Sequence, residues 1–149
     1  MRITDALIVE HSVLRTVFNQ VERIIPAIDD LSVLKSIGKM IEKLLQQHGD
    51  VEEHMLFVTL DHALANAGEL GQMSQEHGEM DGRLRKIQEA ESAREARRLL
   101  RAAMGFSRRH FENEEKKVFP LVHERLTDQT LKALGEAWYL KKTVFDHAA

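Results

Sequence analysis

At 149 residues the chain is long enough to bury one hydrophobic core but too short for two ordinary ones, so a single domain over residues 1–149 is expected. A net charge of −3 without a basic cluster excludes an electrostatic grip on nucleic acid or on a membrane surface. The absence of cysteine excludes disulfides, zinc–thiolate sites and cysteine nucleophiles.

Two prolines and eight glycines among many charged residues suit a helical protein better than a β-sandwich. Asp5 falls where a signal peptide would carry its apolar stretch, and the run Met55-Leu56-Phe57-Val58 is far too short to span a bilayer. A cytoplasmic location is the expectation. Arg94, Arg97, Arg98 and Arg101 are interleaved with Glu91 and Glu95, which reads as a solvated helix face.

Helical periodicity first runs from about Thr4, a candidate cap, to Ile25, with Leu7, Leu14, Phe18 and Val21 on one stripe and Pro26 ending it. A second helix is expected from Asp30 or Ser32 to about Ala67, carrying Leu34, Ile37, Ile41, Leu44, Leu45, Met55, Leu56 and Leu60. The Gly68 to Gly71 stretch breaks that pattern. A third helix spans roughly Gln72 to Ala90, with Met73, Met80, Leu84 and Ile87 inward. Ser92 followed by Glu95 has the spacing of a capping box and opens a fourth helix, along which Leu99, Leu100, Ala103, Phe106, Val118 and Leu121 align. Pro120 predicts a kink or an early end there. Thr127 or Asp128 can cap a last helix through Leu131, Leu134, Trp138 and Val144. The fold expected is all-α: an antiparallel up-down four-helix bundle over about 4–124, with a short fifth helix over about 128–146.

The chain also repeats itself. His48-Gly-Asp-Val-Glu52-Glu53 precedes Leu56-Phe57, and His110-Phe-Glu-Asn-Glu114-Glu115 precedes Val118-Phe119. Upstream of each lies a further pair, Glu10-His11 and Glu76-His77, each leading into an apolar stripe. Two helical hairpins of one design, related by a pseudo-two-fold, follow from this.

Residues four apart lie one above the other on a helix, so His48 with Glu52, and His110 with Glu114, each share a face with core side chains. His11 follows the stripe of Leu7 and Leu14, and His77 that of Met73 and Met80. One histidine on an apolar stripe is commonly an ordinary hydrogen-bonded core residue. Four imidazoles and two carboxylates aimed at one small core need compensation, which two metal cations would supply. His11, His48, Glu52, His77, His110 and Glu114 are therefore the candidate metal ligands.

His54 and His123 fall on roughly opposite faces and are expected at the surface, while His147 lies in the tail. His62 returns to the His48 face but sits about 21 Å further along the helix at ~1.5 Å per residue. Glu53 and Glu115 are rotated off the ligand face, either hydrogen-bonding an imidazole or simply solvated.

In this order, His, His-x-x-x-Glu, His, His-x-x-x-Glu on four successive helices resembles the hemerythrin-like (HHE cation-binding) domain family. The similarity covers roughly Leu7 to Leu121 and includes Phe119-Pro120. It implies a non-haem di-iron centre, oxo- or hydroxo-bridged, with both glutamates bridging. By it His11 and His48 would hold one iron, and His77 and His110 the other. Oxygen-carrying members have a histidine one turn before the third-helix histidine, where this chain has Met73, and a His-x-x-x-x-Asp spacing on the last helix, where it has His110-x-x-x-Glu114. Met73 reads as core packing. Fewer imidazoles point away from reversible oxygen carriage and toward binding or redox handling of a small diatomic or peroxide at an open site. An iron store, sensor or donor without turnover is the alternative, and a structural bundle binding zinc or nothing is a third. Nothing in the sequence specifies a protein partner.

Overall fold

The computed structural model describes residues 1–63 and 68–145, and among them no strand occurs. Five helices follow in order. α1 is Ile3–Ile24, closed by a 3-10 turn at Ile25–Ala27 that carries Pro26. α2 starts at Leu31–Val51, widens into a π segment at Glu52–Phe57 and resumes as Val58–Ala63. α3 is Gly68–Glu89. α4 starts at Ala93–Asn113, widens at Glu114–Val118 and resumes as Phe119–Arg125. α5 is Asp128–Phe145. None is long and apolar enough to cross a membrane.

Cross-helix pairs fix the directions. Glu10 of α1 meets His48 late in α2, and Gln88 late in α3 bonds the Lys35 carbonyl early in α2. Arg108 of α4 reaches Glu22 near the end of α1, while Glu115, further along α4, reaches His11. Neighbouring helices of the bundle are thus antiparallel, as the short connections require.

Capping explains most helix starts. The Asp30 side chain accepts hydrogen bonds from the Ser32 and Val33 amides, and Ser92 Oγ accepts from the Glu95 amide. The capping box at Ser92 is half realised, because Glu95 Oε2 accepts from the Glu91 amide instead. Thr4 is not the cap of α1. It is buried within the first turn and hydrogen-bonded to His123, while the Asp5 side chain accepts from the amide of Arg2, the capping residue two positions before Thr4. α3 begins at Gly68 rather than after Gly71; glycines are tolerated in a first turn, and buried Leu70 anchors it. The expected end of α2 near Ala67 lies outside the described residues, as does His147, and the side chains of His62 and Val144 are likewise outside them.

Sequence periodicity gave no sign of the two π segments. In each, an amide pairs five residues back, Val58 to Glu53 and Phe119 to Glu114. Such single wide turns cluster at functional positions, and these two begin at Glu52 and Glu114. The second also explains why Pro120 does not end α4. It falls in the first turn of the resumed segment Phe119–Arg125, where its missing N–H has no partner to lose.

Two apolar clusters form the core. Leu14, Phe18, Leu34, Leu45, Met80, Leu84, Leu100 and Phe111 belong to one, and Leu7, Leu56, Met73, Val118, Phe119 and Leu131 to the other. The boundary passes through His11, His48, His77 and His110. α5 packs along α1, with Trp138 half-buried against the second cluster and Tyr139 exposed.

Candidate metal centre

Six polar side chains occupy the boundary between the clusters. His11, His48, Glu52, His110 and Glu114 are buried, and His77 is nearly so. They converge as two overlapping groups, His11–His48–Glu52–Glu114 and Glu52–His77–His110–Glu114, in each of which the donor atoms lie within 4.8 Å of one another. Both glutamates belong to both groups. Glu52 Oε1 lies 3.3 Å from His48 Nε2, and its Oε2 lies 3.4 Å from His77 Nε2. Glu114 Oε2 lies 3.3 Å from His11 Nε2, and its Oε1 lies 3.2 Å from His110 Nε2.

Each imidazole is oriented from behind by a carboxylate. His11 Nδ1 donates to Glu115 at 2.8 Å, His48 Nδ1 to Glu10 at 2.9 Å, His77 Nδ1 to Glu53 at 3.0 Å and His110 Nδ1 to Glu76 at 2.7 Å. An ionised carboxylate only accepts, so Nδ1 carries a proton and Nε2 is the nitrogen turned to the centre, where a cation can replace any proton on it. The pattern obeys the sequence repeat. The residue before each first histidine orients the second histidine of its own hairpin, and the residue after each glutamate orients a histidine of the neighbouring helix. Glu53 and Glu115 are thus hydrogen-bonded to imidazoles rather than merely solvated. The roles of Glu10 and Glu76 were missed in the sequence, although the doubled Glu-His and Glu-Glu pairs were the available signal.

Further contacts hold these carboxylates. Arg15 bonds Glu115 at 2.8 Å, Gln72 bonds Glu76 at 3.0 Å, and Lys142 of α5 pairs with Glu10 at 2.7 Å. His54 and His123 are exposed, as their helix faces predict.

Without a cation the arrangement is electrostatically uncomfortable. Both oxygens of Glu52 and of Glu114, and Nε2 of His77 and His110, are buried without hydrogen-bond partners. His11 Nε2 and His48 Nε2 face each other at 3.0 Å. Burial opposes charging His48, but the Glu52 and Glu10 carboxylates outweigh it and push the imidazole up to about 10. Glu52 and Glu53 likewise carry His77 up to about 9 against its burial. Burial would raise the Glu52 carboxyl, yet His48, His11 and His77 hold it well below the usual carboxylate range. The site draws positive charge to its centre, and its nitrogen and oxygen donors fit a metal cation.

The family profile described as "Hemerythrin HHE cation binding domain" matches residues 2–122. The chain belongs to the hemerythrin family. No curated protein and no solved structure matches it. The hemerythrin-family stretch contains all six convergent residues and all four carboxylates behind them, whereas α5, which supplies Lys142, lies beyond it. Metal-cation binding by this hemerythrin domain accords with the two His/Glu groups.

Proposed function

We propose that the protein holds two iron ions, His11 and His48 serving one and His77 and His110 the other, with Glu52 and Glu114 bridging them, and that the centre binds or reacts with a small molecule such as oxygen, nitric oxide or peroxide. The observation that carries this reading is that each buried glutamate turns one oxygen to either histidine pair. Iron bound there would supply redox equivalents and coordination positions open to a small ligand. The protein's own part is to fix four Nε2 lone pairs through the carboxylates behind them and to exclude bulk water with the two apolar clusters.

Metal analysis and an absorption spectrum of the aerobically purified protein test the proposal. Close to two irons per chain with a ferric absorption band supports it; one metal per chain, or stoichiometric zinc from iron-replete cells, overturns it. The open-site part has its own test. Met73 is buried one turn before His77 in α3. Met73→His supplies an imidazole there and should tighten iron retention while lowering reactivity toward peroxide or nitric oxide. An unchanged spectrum and unchanged reactivity would show that this position does not face the metals.

A further inference from the structure

The pseudo-two-fold that relates the two hairpins is broken at Gly49 and at Asp81, and both border one pocket beside His77. On the His11 side, Phe119 and Phe111 stack on the ring with centroids at 5.8 and 4.3 Å. Arg15, four residues after His11, lies 5.6 Å from the centre of the Phe111 ring and bonds the Glu115 carboxylate behind His11. The His11 side chain is 0% exposed.

On the His77 side, Phe57 takes the part of Phe119 and stacks at 6.0 Å. The residue after His48, however, is Gly49 where the residue after His110 is Phe111. The residue four after His77 is Asp81, where Arg15 follows His11. A Cβ on Gly49 would stand 3.6 Å from the His77 ring, so the glycine leaves uncovered the surface that Phe111 covers on His11. A pocket of about 300 Å³ opens there between α2 and α3, bounded by Gly49, Asp50, Glu53, Ser74, His77 and Asp81 among others. The His77 side chain is 13% exposed through it.

Three carboxylates, Asp50, Glu53 and Asp81, border this pocket, and no lysine or arginine does among the described residues. A concave site of one sign concentrates ions of the other. At about 30 Å³ per water, a cation with six waters needs roughly 180 Å³, which the pocket accommodates. The neighbouring cavity of about 400 Å³ includes Lys43, Lys141 and Lys142 in its wall and none of the six convergent residues. Its charge suits a cation poorly.

We propose that this pocket is the route by which a hydrated divalent cation reaches and leaves the centre, at His77, and that the His11 side is closed to such traffic. This rests on the metal-centre reading above. The two metal positions are then kinetically unequal: the His77–His110 position exchanges with solvent first, and the His11–His48 position fills and empties only through it.

Cobalt(II) is the probe, mixed with metal-free protein and followed by its visible absorption. The comparison is between wild type, Asp81→Arg, and the double variant Gly49→Phe with Asp81→Arg, which transplants the cover of His11 onto His77. Asp81→Arg should slow uptake about ten-fold by removing most of the pocket's negative charge. The double variant should slow it further, with two metals per chain still bound at the end point. A metal-independent reading accompanies this: diethyl pyrocarbonate should modify His77 ahead of His11, His48 and His110 in the metal-free wild type, and the double variant should protect it. Uptake at the wild-type rate in a double variant of wild-type circular dichroism overturns the route, as does modification of His11 ahead of His77. Should the double variant not fold, an unchanged rate in Asp81→Arg overturns it alone. Failure of the wild type to bind cobalt or iron would sink the metal centre itself, while the labelling order would still decide whether the opening at His77 exists.

Discussion

Glu115 directly follows Glu114 in α4, yet its carboxylate crosses to α1 and accepts the Nδ1 proton of His11 at 2.8 Å. Glu53 stands in the same relation to Glu52 and accepts from His77 of α3 at 3.0 Å. One residue of each Glu-Glu pair is thus turned into the centre, and the other fixes an imidazole borne by a different helix.

Glu53→Gln and Glu115→Gln should each preserve the metal count at about two per chain, because neither carboxylate enters the inner group of donors. Affinity should fall about 10–100-fold, the usual effect of losing a group that orients an imidazole. Competition against a calibrated chelator measures this. Loss of one metal outright in either variant would place that glutamate among the ligands.

Metal removal should destabilise the fold, since the buried Glu52 and Glu114 then lose the cations that their donor groups would hold. A cation present at one hundred times its Kd adds about 2.7 kcal/mol to stability. At about 2–4 °C per kcal/mol for a chain of this size, chelation should lower Tm by about 5–10 °C. Equal melting curves with and without a chelator would show that the metal is not bound where these groups lie.

The metal-free protein should also lose stability as pH rises. His48 at about 10 and His77 at about 9 bind protons more tightly folded than unfolded, where the ordinary value is 6.5. A raised imidazole contributes stability that is fully present below about 6.5 and is lost as pH climbs through 9 to 10. Thermal melts of metal-free protein across that window should show a falling Tm. The metal-loaded protein should fall less, because a cation occupies Nε2 in place of the proton. A metal-free Tm that rises from pH 6.5 to 10 would contradict the arrangement.

Two glycine substitutions should act in opposite directions. Gly82 of α3 has open space where a Cβ would go, so Gly82→Ala should stabilise by roughly 0.5–1 kcal/mol through helix propensity. Gly135 of α5 is buried, and a Cβ there would collide with the backbone carbonyl of Met1 beside Arg2. Backbone cannot swing aside as a side chain does, so Gly135→Ala should lower Tm despite the same propensity gain, at a cost of about 1–3 kcal/mol for overpacking. A higher Tm in Gly135→Ala would mean that α5 is not held against the start of α1.

The six convergent residues and the helices that carry them were legible in the sequence, because helical phase is local. A period of 3.6 residues fixes which side chains share a stripe with Leu7, Leu45, Met80 or Val118, wherever the neighbouring helices lie. The doubled His-x-x-x-Glu-Glu pattern likewise contained the pseudo-two-fold. Which carboxylate holds which imidazole was not legible: Glu53 and Glu115 point about 100° away from Glu52 and Glu114, and only the order of helices around the bundle decides what they meet. The wide turns at Glu52 and Glu114 were hidden for a related reason, since a single extra residue in one turn leaves both flanking stripes intact. Gly49 and Asp81 read as ordinary helix-surface residues. Only packing set them both at the pocket beside His77, where the other half has Phe111 stacked on His11 under Arg15, and so made two sequence-equivalent halves unequal in their access to solvent.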